Sequence, residues 1–153
     1  MSQTQEFLKR FNNIYKKEDL IYHRAAKECG LSDATYWILY AISSSEQALT
    51  QKELYDMLYF PKQTTNSAIK KLEDEGIITF TAGKDKRSKY ISLTDKGAVL
   101  KEKTVDKAIA AELASFSTFS KEDAEMLLTL YERYTNTLEE NMNKIDYKQK
   151  GLS

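Results

Sequence analysis

Apolar residues recur every three or four positions at both ends of the chain, which is the spacing of one face of an α-helix. The first such stretch covers roughly residues 4–29, and Gly30 follows it as a helix terminator. Its stripe consists of Phe7, Leu8, Phe11, Ile14, Tyr15, Ile21, Tyr22 and Ala25. The last stretch begins at the candidate N-cap Ser120, and its stripe consists of Leu127, Tyr131, Tyr134, Leu138, Met142 and Ile145. The pattern therefore predicts a long amphipathic helix near each end.

Shorter periodic stretches lie between these helices. Ser32 is the expected N-cap of a helix over residues 32–45, whose core-facing residues are Ala34, Trp37, Ile38, Ala41 and Ile42. Thr50 and Glu53 have the spacing of a capping box, and Leu49 and Leu54 flank it as a hydrophobic staple. A third helix is therefore expected to begin near residue 50.

The next helix is expected to begin with Pro61 as its first residue and to end at Gly76. Its inward face is Thr65, Ala68, Ile69 and Leu72. Two runs rich in β-branched and aromatic residues follow, at residues 77–81 and 89–93, with a glycine and an aspartate between them. These runs predict a β-hairpin.

The outward residues of the helix after Pro61 are polar or basic, and no carboxylate occurs before Glu73. They are Lys62, Gln63, Thr64, Asn66, Ser67, Lys70 and Lys71. Amide and hydroxyl groups can pair with base edges and lysines with phosphates, so this face suits a DNA major groove. A solvated helix face would have a similar composition, and residues 62–71 alone leave both interpretations open.

The loop of the hairpin is strongly basic, with Lys84, Lys86, Arg87 and Lys89 around the single acid Asp85. Such a loop can lie along phosphates or insert an arginine into a narrow minor groove. The alternative is a charged turn that only contributes solubility. Its position directly after a polar helix favours the DNA interpretation.

These elements resemble the MarR family of winged helix-turn-helix transcriptional regulators. The resemblance rests on the wing pattern D-x-R-S followed by L-T-x-x-G, which is matched by Asp85, Arg87, Ser88, Leu93, Thr94 and Gly97. It implies a mainly α fold with a small β-hairpin wing (α+β). It further implies a single domain over residues 1–153, with a winged helix-turn-helix DNA-binding lobe at 32–97 and dimerisation helices at 4–30 and 98–146.

The resemblance also implies roles for the polar face and the wing. Gln63, Thr64, Asn66 and Ser67 are expected at base edges of double-stranded DNA, and Lys62, Lys70 and Lys71 near phosphates. Arg87 is expected in the minor groove with Asp85 holding its guanidinium, while Lys84, Lys86, Ser88 and Lys89 support the wing on the backbone.

In this family the terminal helices, together with the end of a long helix from Thr94 to about Phe116, form a homodimer. Its two recognition helices then lie about one turn of DNA apart and read a near-palindrome. We therefore expect a homodimeric protein, most simply a repressor. The alternative is that both apolar stripes pack within one monomer.

MarR-like proteins often bind phenolic or other small aromatic ligands between the dimerisation region and the DNA-binding lobe, and this binding weakens their hold on DNA. The candidate ligand residues here are Tyr15, Tyr22, His23, Tyr36, Trp37 and Tyr40. Aromatic residues at helical spacing are more often part of a core. A lone histidine more often makes a polar contact at an interface.

Other functions have less support in the sequence. Some MarR-like repressors sense peroxide through a cysteine early in the first helix, whereas Cys29 stands at the end of the predicted one. One histidine and one cysteine argue against a metal site, and no phosphate loop or catalytic nucleophile with a base is evident. We therefore expect no cofactor and no enzymatic activity. A winged domain that binds protein would be expected to show apolar or acidic residues where this chain has residues 62–71.

Composition agrees with one domain that has an ordinary core, since the 153 residues are 41% hydrophobic. The net charge is zero but uneven, with three lysines and no acid over residues 61–71, and seven acids against three basic residues over 120–146. No signal peptide or apolar run long enough to span a membrane is evident, so a cytoplasmic protein without a membrane partner is expected.

Overall fold

The computed structural model describes residues 2–58, 60–82 and 89–146. Within these residues the chain forms α1 (Gln3–Glu28), α2 (Asp33–Ser44), α3 (Gln51–Leu58), α4 (Lys62–Asp74), β1 (Ile78–Ala82), β2 (Lys89–Leu93), α5 (Asp95–Lys103), α6 (Val105–Phe116) and α7 (Lys121–Asn143). The predicted class is confirmed: the fold is mainly helical with one antiparallel hairpin. Two compact units are distinguished, Met1–Ala110 and Ala111–Ser153.

In the first unit, α1 begins with a capping box between Ser2 and Gln5. It ends at Gly30, whose φ of 70° suits a residue without a side chain. The apolar stripe changes character along this helix. Ile14 and the apolar residues before it are mostly exposed, whereas Ala26 is buried and Tyr22 packs against the core. Only the carboxyl-terminal part of α1 therefore belongs to the core of this unit.

The second helix lies at the centre of the core and contacts α1, α3, α4 and α5. Ser32 caps it as predicted, accepting from the backbone N–H of Thr35 at 3.2 Å. The five predicted core-facing residues are confirmed, since Ala34, Ile38 and Ala41 are buried and the half-buried Trp37 and Ile42 pack against the core. The pattern missed Tyr36 and Leu39, which are also buried. A helix surrounded by four elements buries more than one face, so a single stripe cannot describe it.

The capping box at the start of α3 is confirmed. The backbone N–H of Glu53 donates to Thr50 Oγ1 at 3.2 Å, and Glu53 Oε2 accepts from the backbone N–H of Thr50 at 2.6 Å. Two hydrogen bonds from Thr50 lower the pKa of Glu53: the larger effect comes from the backbone N–H and the smaller from the hydroxyl. Pro61 precedes α4 as its N-cap, one position before its predicted place, and its carbonyl accepts from the N–H of Thr65.

The helix–hairpin junction depends on two glycines. Gly76 ends α4 with a φ of 66°, as predicted. The hairpin pairs Ile78 with Leu93 and Ala82 with Lys89, so β1 begins one residue later than expected. Gly97 of α5 approaches the backbone of Ile77 so closely that an added Cβ would lie 2.0 Å from its carbonyl oxygen. The glycine of the L-T-x-x-G pattern thus lets α5 pack against the start of the hairpin.

The long helix predicted from Thr94 is interrupted at Thr104, whose φ of −121° and ψ of −90° leave the helical region. Its hydroxyl donates to the carbonyl of Leu100 at 2.6 Å, a local bond that competes with the helical ladder. Beyond the break, Asp106 accepts from Lys101 Nζ at 2.7 Å and from Ser43 Oγ. Burial raises the pKa of Asp106, but the hydrogen bonds from Lys101 and Ser43 and the lysine's charge outweigh it, so the pKa is lowered.

The second unit contains the end of α6 and all of α7. Ser120 caps α7 by accepting from the backbone N–H of Asp123 at 3.1 Å, which confirms the predicted start. Its predicted apolar stripe is present on the helix, yet Leu127, Leu138 and Met142 are exposed. Within the described residues no helix is long and apolar enough to cross a membrane.

Candidate DNA-binding interface

The fourth helix divides into a buried side and a polar side as its pattern predicts. Thr65, Ala68, Ile69 and Leu72 are buried. All seven outward candidates are exposed, namely Lys62, Gln63, Thr64, Asn66, Ser67, Lys70 and Lys71. The buried side fixes the helix on the core, so the polar side is presented as one continuous surface. We call these seven residues the α4 face.

The α4 face is positively charged, because three of its seven residues are lysines and none is acidic. Among the described residues Lys62 and Lys70 have no ion-pair partner. Lys71 Nζ lies 3.8 Å from Glu75 Oε1, and the two side chains are 61% and 49% exposed. An exposed pair of this kind contributes little energy and is easily exchanged for another anion. All three lysines can therefore approach phosphates.

Two side chains of α3 hold one member of the α4 face. Gln51 Nε2 donates to Asn66 Oδ1 at 2.6 Å, and the Tyr55 hydroxyl donates to the same oxygen. Gln51 also donates to the Tyr55 hydroxyl, which closes the triangle. The sequence analysis missed Gln51 and Tyr55; their spacing of four residues on one side of α3 was the only local signal.

Ser67 is oriented within its own helix. Its hydroxyl donates to the carbonyl of Gln63 at 2.9 Å, so the oxygen presents its lone pairs outward. Gln63, Thr64 and Lys71 also line an open groove of about 710 Å³ beside the start of α2, together with Asp33 and Phe60. The groove places side chains of the α4 face next to α2.

The hairpin is placed beside α3. The N–H of Ile91 donates to the carbonyl of Leu49 at 2.8 Å, and Thr50 forms an isolated antiparallel bridge with Tyr90. Lys89, the last of the basic candidates, is exposed at the start of β2. The remaining wing candidates lie outside the described residues, namely Lys84, Asp85, Lys86, Arg87 and Ser88.

Three of the six ligand candidates line one small cavity of about 140 Å³, and these are Tyr22, His23 and Trp37. The Tyr22 and Trp37 ring centroids are 4.9 Å apart. His23 Nδ1 lies 3.0 Å from an oxygen of Asp33, which is another cavity residue. We call this site, completed by Asp19 and Phe60, the aromatic cavity.

The other three ligand candidates lie elsewhere. Tyr36 is only 1% exposed and belongs to the core, with its ring edge against Trp37. Tyr40 also packs against Trp37, with ring centroids 5.1 Å apart, and Tyr15 is exposed on α1. Asp19, Asp33 and Phe60 were not predicted as cavity residues, because they come from three different segments of the chain.

Comparisons with known proteins agree with this arrangement. Residues 30–88 match the family model described as "MarR family". The chain is 39% identical over 82 residues to the organic hydroperoxide resistance transcriptional regulator of Bacillus subtilis. That match covers 53% of this chain and 54% of the relative, so it spans about half of that relative's length.

The chain matches the MarR family over residues 30–88. A second relative, the uncharacterized HTH-type transcriptional regulator YwoH of B. subtilis, is 29% identical over 105 residues, which cover 69% of this chain and 76% of YwoH.

Solved structures show the same fold. The MarR family regulator NMB1585 of Neisseria meningitidis has a TM-score of 0.73 and 23% identity, with 94% of this chain and 99% of that one covered. A MarR family regulator of Listeria monocytogenes, solved in complex with a 26mer DNA, has a TM-score of 0.66 and 22% identity, with 95% and 97% covered.

Cys29 is the C-cap of α1 and is half-buried against the core. Over the part of the chain that the structure describes, no group of three or more histidine, cysteine or acidic side chains could hold a metal ion.

Proposed function

We propose that this protein is a sequence-specific DNA-binding transcriptional regulator of the MarR family whose α4 lies in the major groove. The observation that carries the proposal is the α4 face: seven exposed polar or basic side chains, without a carboxylate, on a helix whose opposite side is buried. A helix of 13 residues with such a face has the dimensions and hydrogen-bonding groups that a major groove accepts.

The roles within the α4 face follow from its chemistry. Gln63, Thr64, Asn66 and Ser67 carry amide or hydroxyl groups and are assigned to base edges. Lys62, Lys70 and Lys71 are assigned to phosphates, where a positive charge is favoured whatever the sequence. For the wing we assign Arg87 to the minor groove, Asp85 to holding its guanidinium, and Lys84, Lys86, Ser88 and Lys89 to the DNA backbone.

We further propose that the protein acts as a homodimer. Phe7 and Ile14 of α1 are 56% and 67% exposed, and Leu138 and Met142 of α7 are 37% and 48% exposed. Stripes of exposed large apolar side chains are typical of interaction sites. A second copy of the chain can cover both stripes and would set two α4 helices against a near-palindromic site.

The regulatory part of the proposal is repression that a small aromatic ligand relieves. Asp33 and Phe60 line both the aromatic cavity and the groove beside the α4 face. Phe60 directly precedes Pro61, the N-cap of α4. A ring that enters the cavity and displaces Phe60 would therefore disturb the start of the DNA-reading helix, and this coupling is what an inducer requires.

Selection of genomic fragments by the purified protein, followed by footprinting at two salt concentrations, tests the DNA-binding proposal. A protected near-palindrome of about two helical turns is expected from a dimer. If no fragment were enriched over bulk DNA at moderate salt, the α4 face would be better explained as a protein-binding surface. The regulated genes beside an enriched site would define the ligands to test on the aromatic cavity.

A further inference from the structure

Asn66 differs from the other amide on the α4 face because its carbonyl oxygen is already used. Gln51 Nε2 donates to Asn66 Oδ1 at 2.6 Å, and the Tyr55 hydroxyl donates to the same atom. A carboxamide oxygen has two lone pairs, so these two donors satisfy it. The Nδ2 group, which carries two N–H donors, makes no hydrogen bond within the described part of the chain.

The direction of these bonds determines what Asn66 can recognise. An asparagine that reads adenine does so in a bidentate manner, accepting from N6 with its oxygen and donating to N7 with its nitrogen. With its oxygen occupied from α3, Asn66 can only donate. Guanine presents two adjacent acceptors in the major groove, O6 and N7, and so offers the best complement to a donor.

We infer that Gln51 and Tyr55 are positioning residues that fix Asn66 as a hydrogen-bond donor, so that Asn66 reads guanine in preference to adenine. This inference rests on the proposed DNA-binding function and deepens it. Gln51 and Tyr55 lie on α3 and act through Asn66, so their effect is on the base preferred at one operator position.

The test is selection from duplexes randomised over the operator length, with sequencing of the enriched pool. Wild-type protein is expected to prefer guanine at one position where Asn66→Ala shows no preference. Tyr55→Phe and Gln51→Ala are each expected to lower the guanine-to-adenine ratio there about threefold to tenfold, the effect of one hydrogen bond. Gln47→Ala is the matched control, because Gln47 is exposed and precedes α3.

Three outcomes of this selection distinguish a failure of the inference from a failure of the proposed DNA-binding function. Wild-type enrichment of adenine at the Asn66 position would overturn the inference, because the carboxamide would then accept from DNA. An unchanged ratio in both Tyr55→Phe and Gln51→Ala would also overturn it while leaving the DNA-binding function intact. Failure of the wild type to enrich any motif would overturn the function itself.

A second measurement examines the triangle without DNA. The side-chain amide resonances of Asn66 can be identified by their loss in Asn66→Asp. They are expected to shift in Tyr55→Phe and to stay in place in Gln47→Ala, since only the first change removes a donor to Oδ1. Unchanged resonances in Tyr55→Phe would show that the triangle does not form in solution, and the inference would fail.

Discussion

Replacement of Gly97 by alanine tests whether the close approach of α5 to the hairpin is a requirement of the fold. The Cβ of an alanine at this position would lie 2.0 Å from the carbonyl oxygen of Ile77 and 3.1 Å from Leu93 Cδ2. The Ile77 carbonyl cannot easily retreat, because it accepts from the backbone N–H of Thr94 at 3.0 Å. The substitution must therefore move α5 or break this junction.

The loss of stability expected for Gly97→Ala can be compared with that expected for Gly76→Ala. Atoms in good contact lie about 3.5–4.0 Å apart, so a Cβ at Gly97 overlaps Ile77 by more than about 1 Å. Overpacking costs about 1–3 kcal/mol and occasionally more, and alanine recovers about 1 kcal/mol of helix propensity. Because a 2.0 Å approach to a backbone oxygen belongs at the severe end of that range, we expect a net loss of about 2 kcal/mol. At Gly76 nothing lies within 4 Å, and an alanine there loses only about 1 kcal/mol through its left-handed backbone.

Urea unfolding of the wild type, Gly97→Ala and Gly76→Ala, followed by circular dichroism, measures the free energy of unfolding of each protein. The expected order is a larger loss for Gly97→Ala than for Gly76→Ala. An equal or smaller loss for Gly97→Ala would refute the reasoning, because it would mean that α5 can withdraw from Ile77 without cost.

Further predictions concern binding, assembly, pH and redox chemistry. Lys70→Ala should weaken binding to all DNA sequences alike and lower the salt slope by about one unit. Arg87→Ala should weaken operator binding strongly without unfolding the protein. In DNA titrations, an unchanged affinity of either variant would contradict the role proposed for that residue. Leu138→Asp should dissociate or unfold the protein, which analytical ultracentrifugation would detect. A stable dimer would show that Leu138 lies outside the interface. Because the pKa of Asp106 is lowered in the folded state, its stabilising effect is present above its unfolded value near 3.9 and is lost as the pH falls through the folded value. Urea unfolding of Asp106→Asn should therefore show a shallower loss of stability between about pH 5 and 3 than the wild type, and parallel curves would argue against the Lys101 pairing. Cys29→Ser should leave operator binding and any peroxide response unchanged, and a lost response would support redox sensing.

Helix ends were predicted well because their chemistry is local. The capping bond of Ser120 joins residues three apart, as does the box between Thr50 and Glu53, and Gly76 meets its need for a positive φ alone. Such features are complete within one turn of chain. A sequence window of a few residues therefore contains all the atoms that decide them.

The burial of Leu39 in α2 and the break at Thr104 were not predictable in the same way. Leu39 is buried because four other elements surround α2, and their arrangement is not written in residues 32–45. Thr104 leaves the helix while its hydroxyl bonds to Leu100 and Asp106 pairs with Lys101 and Ser43. Ser43 is 63 positions from Asp106, so local hydrophobic periodicity could not predict this hydrogen bond.

In the candidate DNA-binding site, too, local features were predictable and contacts between distant residues were not. Periodicity alone identified which residues of α4 point outward, since the four inward residues Thr65, Ala68, Ile69 and Leu72 have helical spacing. The hydrogen-bonding state of one of the outward residues was not predictable. Asn66 bonds to Gln51, 15 positions earlier and on another helix, and that bond decides whether the amide accepts or donates.

The apolar stripe of α1 predicts that one face of the helix is buried, but it does not identify the surface that buries it. Its period runs unchanged from Phe7 to Ala25, so the sequence predicts one helix with one buried face. In the structure only the part from Tyr22 onwards packs against the core of its own chain, while Ile14 is 67% exposed. Because burial of apolar area is favourable whichever surface provides it, the pattern requires a partner without naming one. The exposed part of α1 therefore supports a second chain more directly than any motif in the sequence does.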